Sequence, residues 1–297
     1  MSLVIFFIFI FSPPKNFPIN SLFNIPVGSS VAKIARILKL DNYIRSENSF
    51  IILNQIKKEK LKAGNYIFRK KSNLLEVYEK IAQGKSESMD VKITILEGET
   101  NYEIAKKLAQ KFKNIDEENF IKLAQDDEGF LFPDTYNLSP DVDEKTAIET
   151  FKKTFKEKTD NLFKNLNTEE INRVITIASL IEAEANNSIT TKKHISGIIE
   201  NRLKKKMPLQ IDAVFSYIYG HHIKKVLNSH LKVDSPYNTY KYKGLPPGPI
   251  GNPGLDSIKA ALNPLKTKDL YYLTGKDGKF YYSQTGFGHN KNRTHLK

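Results

Sequence analysis

Cysteine is absent from the 297 residues, which rules out disulfides and thiolate metal sites and leaves the redox character of the compartment open. Arginine is scarce, so most of the 46 basic side chains are lysines; against 33 acidic ones they leave a net charge of +13. The lysines are dispersed, and no nucleic-acid motif or arginine-rich stripe occurs, so nucleic acid is not an expected partner. The charge suits an anionic membrane or an anionic cell wall, although a lysine-, asparagine- and isoleucine-rich composition would give the same charge without selection for binding. The apolar run at residues 3–11 falls short of the roughly 20 residues a membrane-spanning helix needs. It also lacks the positive flank and cleavage site of a signal peptide. It reads either as a buried strand or as the outer end of a membrane anchor.

Several catalytic signatures are missing as well. His194, His221, His222, His230, His289 and His295 form no H-E-x-x-H arrangement, so no metal is expected. There is no G-x-S-x-G elbow for a hydrolytic serine and no phosphate-cradling G-x-x-x-x-G-K-[ST] loop. No cofactor is expected.

A hydrophobic content of 40% and a charged content of 27% describe a globular chain, long enough for two or three domains. Two stretches resemble each other. Gly28-Ser29-Ser30 followed by Ile34, Ala35 and Leu38 matches Gly98-Glu99-Thr100 followed by Ile104, Ala105 and Leu108. In each, a hydroxyl residue caps a helix whose buried face is Ile, Ala and Leu. Residues 91–96 and 62–70 read as strands, and a helix capped near Ser72 stops at Gly84. Residues 25–125 therefore form two small α+β units, a pattern that resembles the LysM module, which binds N-acetylglucosamine polymers. Amphipathic helices are expected over 146–163 and from about 190 to 205. A short helix over 213–219 closes at Gly220, and another, capped by Asp256 or Ser257, stops before Pro264. The Pro- and Gly-dense segment 235–254 fixes backbone shape, and 269–284 forms a hairpin around Lys276-Asp277-Gly278.

The centre of the chain is a helix from Asn167 to about Ala185. Asn167 with Glu170 fits a capping box, and the second half is apolar nearly all round, as in a buried helix. Glu182 falls in the middle of the apolar stripe, where a carboxylate is costly unless paired, protonated or open to a cleft. Glu184 points to the opposite side. A carboxylate in an apolar setting, with amides and tyrosines downstream, suits a sugar ligand: Gln210, Asp212, Asn238 and Asn290 can hydrogen-bond hydroxyls and acetamides.

From Thr176 to Asn290 the sequence resembles the membrane-anchored endolytic murein transglycosylases of bacteria. The resemblance is carried by Ala178-Ser179-Leu180-Ile181-Glu182, Asn201-Arg202-Leu203, Met207-Pro208-Leu209-Gln210 with Asp212, Ser235-Pro236-Tyr237-Asn238-Thr239-Tyr240, Gly244-Leu245-Pro246-Pro247-Gly248, Asn252-Pro253-Gly254 and His289-Asn290, preceded by Glu128-Gly129-Phe130-Leu131-Phe132-Pro133-Asp134-Thr135-Tyr136. Where that family often has Ser/Thr, Asp, Pro after the glutamine, this chain has Ile211, Asp212, Ala213.

The resemblance implies an α+β protein: a short membrane anchor (1–14), a first α+β module (15–90), a LysM-like module (91–140) and a mixed α/β catalytic domain with a C-terminal hairpin (141–297). It implies a single-pass protein of the cell membrane, anchored through its N-terminus with the catalytic domain outside. Glycan strands of peptidoglycan are the expected substrate, and proteins of cell-wall synthesis are candidate partners. Glu182 is the expected catalytic residue. It would protonate the leaving oxygen between N-acetylmuramic acid and N-acetylglucosamine, then take the C6 hydroxyl proton to form a 1,6-anhydro end, terminating nascent strands. Gln210, Asp212, Asn238, Tyr240 and Asn290 are the expected substrate contacts. The rival readings are a hydrolytic muramidase that uses Asp212 as a second carboxylate, and a non-catalytic glycan-binding scaffold.

Overall fold

The computed structural model describes residues 10–85, 90–185 and 188–296. The chain is a mixed α+β protein built of helices and two-stranded antiparallel sheets, and it divides into two compact units, residues 1–90 and 91–297.

In the first unit, strand β1 (Leu22–Ile25) pairs with β2 (Gly64–Ile67), with Leu22 opposite Ile67. Helices α1 (Val31–Leu40) and α2 (Glu47–Lys57) connect them, and α3 (Leu74–Gln83) follows. Ser30 caps α1 by accepting the Lys33 N–H, as its place ahead of the Ile-Ala-Leu face predicts. Helix α3 starts one residue later than expected. Asn73 is the cap, because Glu76 three residues on completes a capping box with it. Alternate residues of β1 point inward, so Phe23 and Ile25, with Tyr66 of β2, meet Ile34, Leu38, Phe50 and Tyr78 in one core.

The second unit begins with the same order of elements. Strand β3 (Val91–Thr94) pairs with β4 (Thr135–Leu138), and α4 (Asn101–Lys111) and α5 (Glu117–Leu123) lie between them in sequence. Thr100 and Glu103 form the capping box of α4. Next come α6 (Glu144–Phe163), α7 (Thr168–Glu184), α8 (Ile189–Lys204), the short α9 (Val214–Tyr219) and α10 (Asn228–Leu231), and α11 (Leu255–Leu262). Strands β5 (Tyr271–Thr274) and β6 (Phe280–Ser283) make the C-terminal hairpin, and α12 (Gly286–Asn292) follows it.

Helix α7 is the spine of this unit. Residues 174–181 are all buried, so the helix is surrounded on every side, as its apolar second half predicts. It packs on α8 and α11. Helix α8 lies so close to the following chain that a Cβ on Gly197 would stand 2.2 Å from the Leu265 carbonyl oxygen. Helix α11 has no side-chain cap from Asp256 or Ser257; it begins at Leu255 after Gly254, whose N–H is taken by Glu182.

The expected membrane anchor and single-pass, transmembrane placement are not borne out. Among the described residues no helix is long and apolar enough to cross a membrane. Residues 1–9 of the N-terminal apolar run lie outside the described residues.

Candidate active site

The two glutamates at the end of α7 stand in different surroundings. Glu182 is closed in: its side chain is 7% exposed and both oxygens are occupied. Oε1 accepts from Lys192 Nζ of α8 at 2.8 Å, and Oε2 accepts the Gly254 N–H at 2.9 Å. Lys192 is itself 2% exposed, and Glu97 lies 4.0 Å from its ammonium group. Burial, then the charge of Glu182, pushes the Glu97 carboxyl above its usual range. Lys192 thus balances the carboxylate on the apolar stripe, and that carboxylate receives the first N–H of α11, where negative charge is favoured.

Glu184, the last residue of α7, lines a cavity of about 830 Å³ in the second unit. Its Oε2 accepts the hydroxyl of Tyr272 from β5 at 2.8 Å. Burial raises the pKa of this carboxyl, and the charge of Asp212 adds to the rise; the Tyr272 hydrogen bond and the Arg202 charge oppose it. A carboxyl held in its protonated form longer than usual, at the wall of a cavity, can give up a proton and take one back.

Arg202 of α8 is buried and fixed by backbone carbonyls, donating from Nε to Leu270 O at 2.7 Å and from Nη1 to Leu209 O at 2.5 Å. Its guanidinium lies 5.2 Å from the Tyr271 ring centroid. Those contacts hold β5, and with it Tyr272, against the end of α7.

The expected substrate contacts separate into groups. Asp212 faces the same cavity as Glu184, and its Oδ1 accepts the hydroxyl of Tyr240. Burial, then that bond to Asp212, pushes the Tyr240 phenol above its usual range. Gln210 is exposed, with a left-handed φ of 52°. Thr239 holds that turn, its carbonyl accepting the Gln210 N–H and its hydroxyl the Ile211 N–H, and the turn delivers Asp212.

Asn238 does not line the cavity. It is fully buried, and its amide donates to Leu231 O and Val233 O while accepting from the N–H groups of Tyr240 and Lys241. It shapes the loop that carries Tyr240. Asn290 is exposed on α12 and is not among the cavity residues. Its neighbour His289 stacks on Tyr271 at 5.3 Å instead.

Glu184, Tyr272 and Glu128 were not anticipated as site residues. Glu128 lines the cavity, accepts the Asn101 N–H at 3.1 Å, and is pushed up to about 8 by burial. Its presence in an acidic, aromatic loop was the available signal. Among the described residues no cluster of three or more His, Asp or Glu side chains could hold a metal ion.

Comparisons with known proteins agree on one family. A model of the YceG-like family matches residues 23–295. A Bacillus subtilis (strain 168) protein described as an endolytic murein transglycosylase is 36% identical over 301 residues, covering 90% of this chain and 82% of its own length. A Streptococcus pneumoniae (D39) protein of the same description is 27% identical and covers 90% of this chain, which spans 57% of that longer relative. The crystal structure of a yceG-like protein from Listeria monocytogenes superposes with a TM-score of 0.62 at 32% identity, covering 91% of this chain and 98% of the other.

Proposed function

The chain belongs to the YceG-like family, and on that footing we propose that it is a lyase that cuts peptidoglycan glycan strands internally, an endolytic lytic transglycosylase. The observation that carries the reading is Glu184 at the cavity wall, its carboxyl raised by burial and bonded to Tyr272, with Asp212 close enough to act on its charge. Glu184, rather than the Glu182 expected from the sequence, is the proposed acid and base. Glu182 already serves Lys192 and Gly254 with both oxygens.

In the proposed reaction, protonated Glu184 gives its proton to the glycosidic oxygen between N-acetylmuramic acid and N-acetylglucosamine, and the C1–O bond breaks. The glutamate, now ionised, takes the proton of the muramic C6 hydroxyl, whose oxygen closes on C1. The products are a free 4-hydroxyl and a 1,6-anhydro end, with no water consumed. Asp212, held by Tyr240, supplies negative charge beside the developing cation, and the 2-acetamido group can share that task. Cutting within growing strands would end their elongation.

The strand–helix–helix–strand order of residues 22–67 and 91–138 supports the LysM-like reading of the front modules. Mass spectrometry of digested strands tests the chemistry. Anhydro ends made by the wild type and lost in Glu184→Gln support the lyase. Reducing muramic ends would instead mean hydrolysis, with Asp212 activating water. Strand binding without any cleavage would mean a scaffold.

A further inference from the structure

The cavity that holds Glu184 has a second, basic end. After α9, Gly220 turns the chain in a left-handed conformation with φ 67°, and His221, His222, Lys224 and Lys225 line the cavity from there. This segment is pinned. The Ile223 N–H donates to Ser216 Oγ at 3.0 Å, and Ile223 and Val226 pack on the core around α7. The two positions between them, Lys224 and Lys225, are left exposed, and neither has an ion-pair partner among the described residues.

Neutral sugar hydroxyls and acetamides call for amides, hydroxyls and aromatic faces, not for the two adjacent ammonium groups of Lys224 and Lys225. The carboxyl groups of the same cavity do not answer these cations. Glu103 is bound to the Thr100 N–H in its capping box, Glu128 to the Asn101 N–H, and Asp212 to Tyr240. The basic end is therefore available to an anion on a ligand whose glycan lies at Glu184. In a peptidoglycan strand the group that branches from the muramic residue is a short peptide with free carboxylates.

We propose that His221, His222, Lys224 and Lys225 form a subsite for the carboxylates of the muramic stem peptide, so that the enzyme selects peptide-bearing, anionic strands. The inference rests on the lytic transglycosylase reading and adds the substrate feature that the cavity recognises. Complementary charge at an exposed rim acts mainly on encounter and selection, and its effect weakens with salt.

The test compares uncross-linked strands whose stem peptides carry free carboxylates with the same strands after those carboxylates are converted to carboxamides. The full chain is used, at substrate concentrations well below saturation. Wild type should cleave the anionic strands roughly fivefold faster, the scale of two exposed charge pairs. The Lys224→Glu/Lys225→Glu variant should bring the ratio to one or below, and Lys224→Gln/Lys225→Gln should give an intermediate ratio. Both variants should keep the wild-type melting temperature. Cleavage with the same ratio in all three proteins overturns the subsite. So does a preference that appears only for strands bearing a phosphodiester polymer. If the wild type cleaves no strand at all, the lytic transglycosylase reading fails first, and the subsite with it.

Discussion

The hydroxyl of Tyr272 donates to Oε2 of Glu184 at 2.8 Å, joining the C-terminal hairpin to the last residue of α7 across 88 residues of sequence. That bond favours the ionised carboxyl and opposes the rise that burial imposes. In Tyr272→Phe the Glu184 pKa therefore climbs further, because the hydrogen bond that favours the ionised form is gone. Activity that needs the protonated carboxyl is lost as pH rises through that pKa. The basic limb of the kcat/KM profile should thus move to higher pH in the variant. An unmoved limb would show that Tyr272 does not act through Glu184.

The Glu182–Lys192 pair leads to a prediction about stability rather than chemistry. Lys192 is 2% exposed, so Glu182→Ala leaves a buried ammonium group with only the more distant Glu97, at 4.0 Å, to balance it. The expected loss is about 3–5 kcal/mol in denaturant unfolding, with much of it recovered in Glu182→Leu/Lys192→Met. A double-variant loss equal to the sum of the losses in Glu182→Leu and Lys192→Met would mean the pair is not coupled.

The helix that carries both glutamates was legible because its signals are local: Asn167 with Glu170 at the start, and a stretch over 174–181 that is apolar except for Thr176 and Ser179. Helices α2 and α5 were not expected. Helix α2 buries only Phe50 and Leu53 and turns Ile52 and Ile56 outward, which blurs its period, and α5 has seven residues. The choice between the glutamates depended on partners that periodicity cannot see. Glu182 was placed on an apolar face, and Lys192, ten residues on and in another helix, supplies its counter-charge. Glu184 was placed only on the side opposite Glu182, and its partner Tyr272 comes 88 residues later in the hairpin. Asn238 was read as a substrate contact by residue type, and the four backbone groups its amide bonds in the folded loop are not visible to that reading.

Glu128 should leave a mark on stability against pH. Its carboxyl titrates near 8 in the folded chain, against an ordinary value of 4.5. The folded state therefore holds one proton more than the unfolded state between those values. Its contribution is fully present below pH 4.5 and is lost as pH rises through about 8. In Glu128→Gln the fall in unfolding free energy between pH 5 and 8 should be shallower, by up to about 1.4 kcal/mol per pH unit. Parallel curves for the two proteins would contradict the folded-state protonation.

Gly197 has no room for a side chain, since the Leu265 carbonyl would lie 2.2 Å from an added Cβ. Gly197→Ala must push α8 from the chain at 265, at a cost of about 1–3 kcal/mol. A thermal melt of the purified variant checks it, and an unchanged melting temperature would count against the close approach.

The most direct measurement is product mass spectrometry of peptidoglycan strands treated with wild type, Glu182→Gln and Glu184→Gln side by side, each first checked for a folded spectrum. The account predicts 1,6-anhydro-muramic ends from the wild type and from Glu182→Gln, and none from Glu184→Gln. Full activity in Glu184→Gln, or its loss in Glu182→Gln alone, would contradict it.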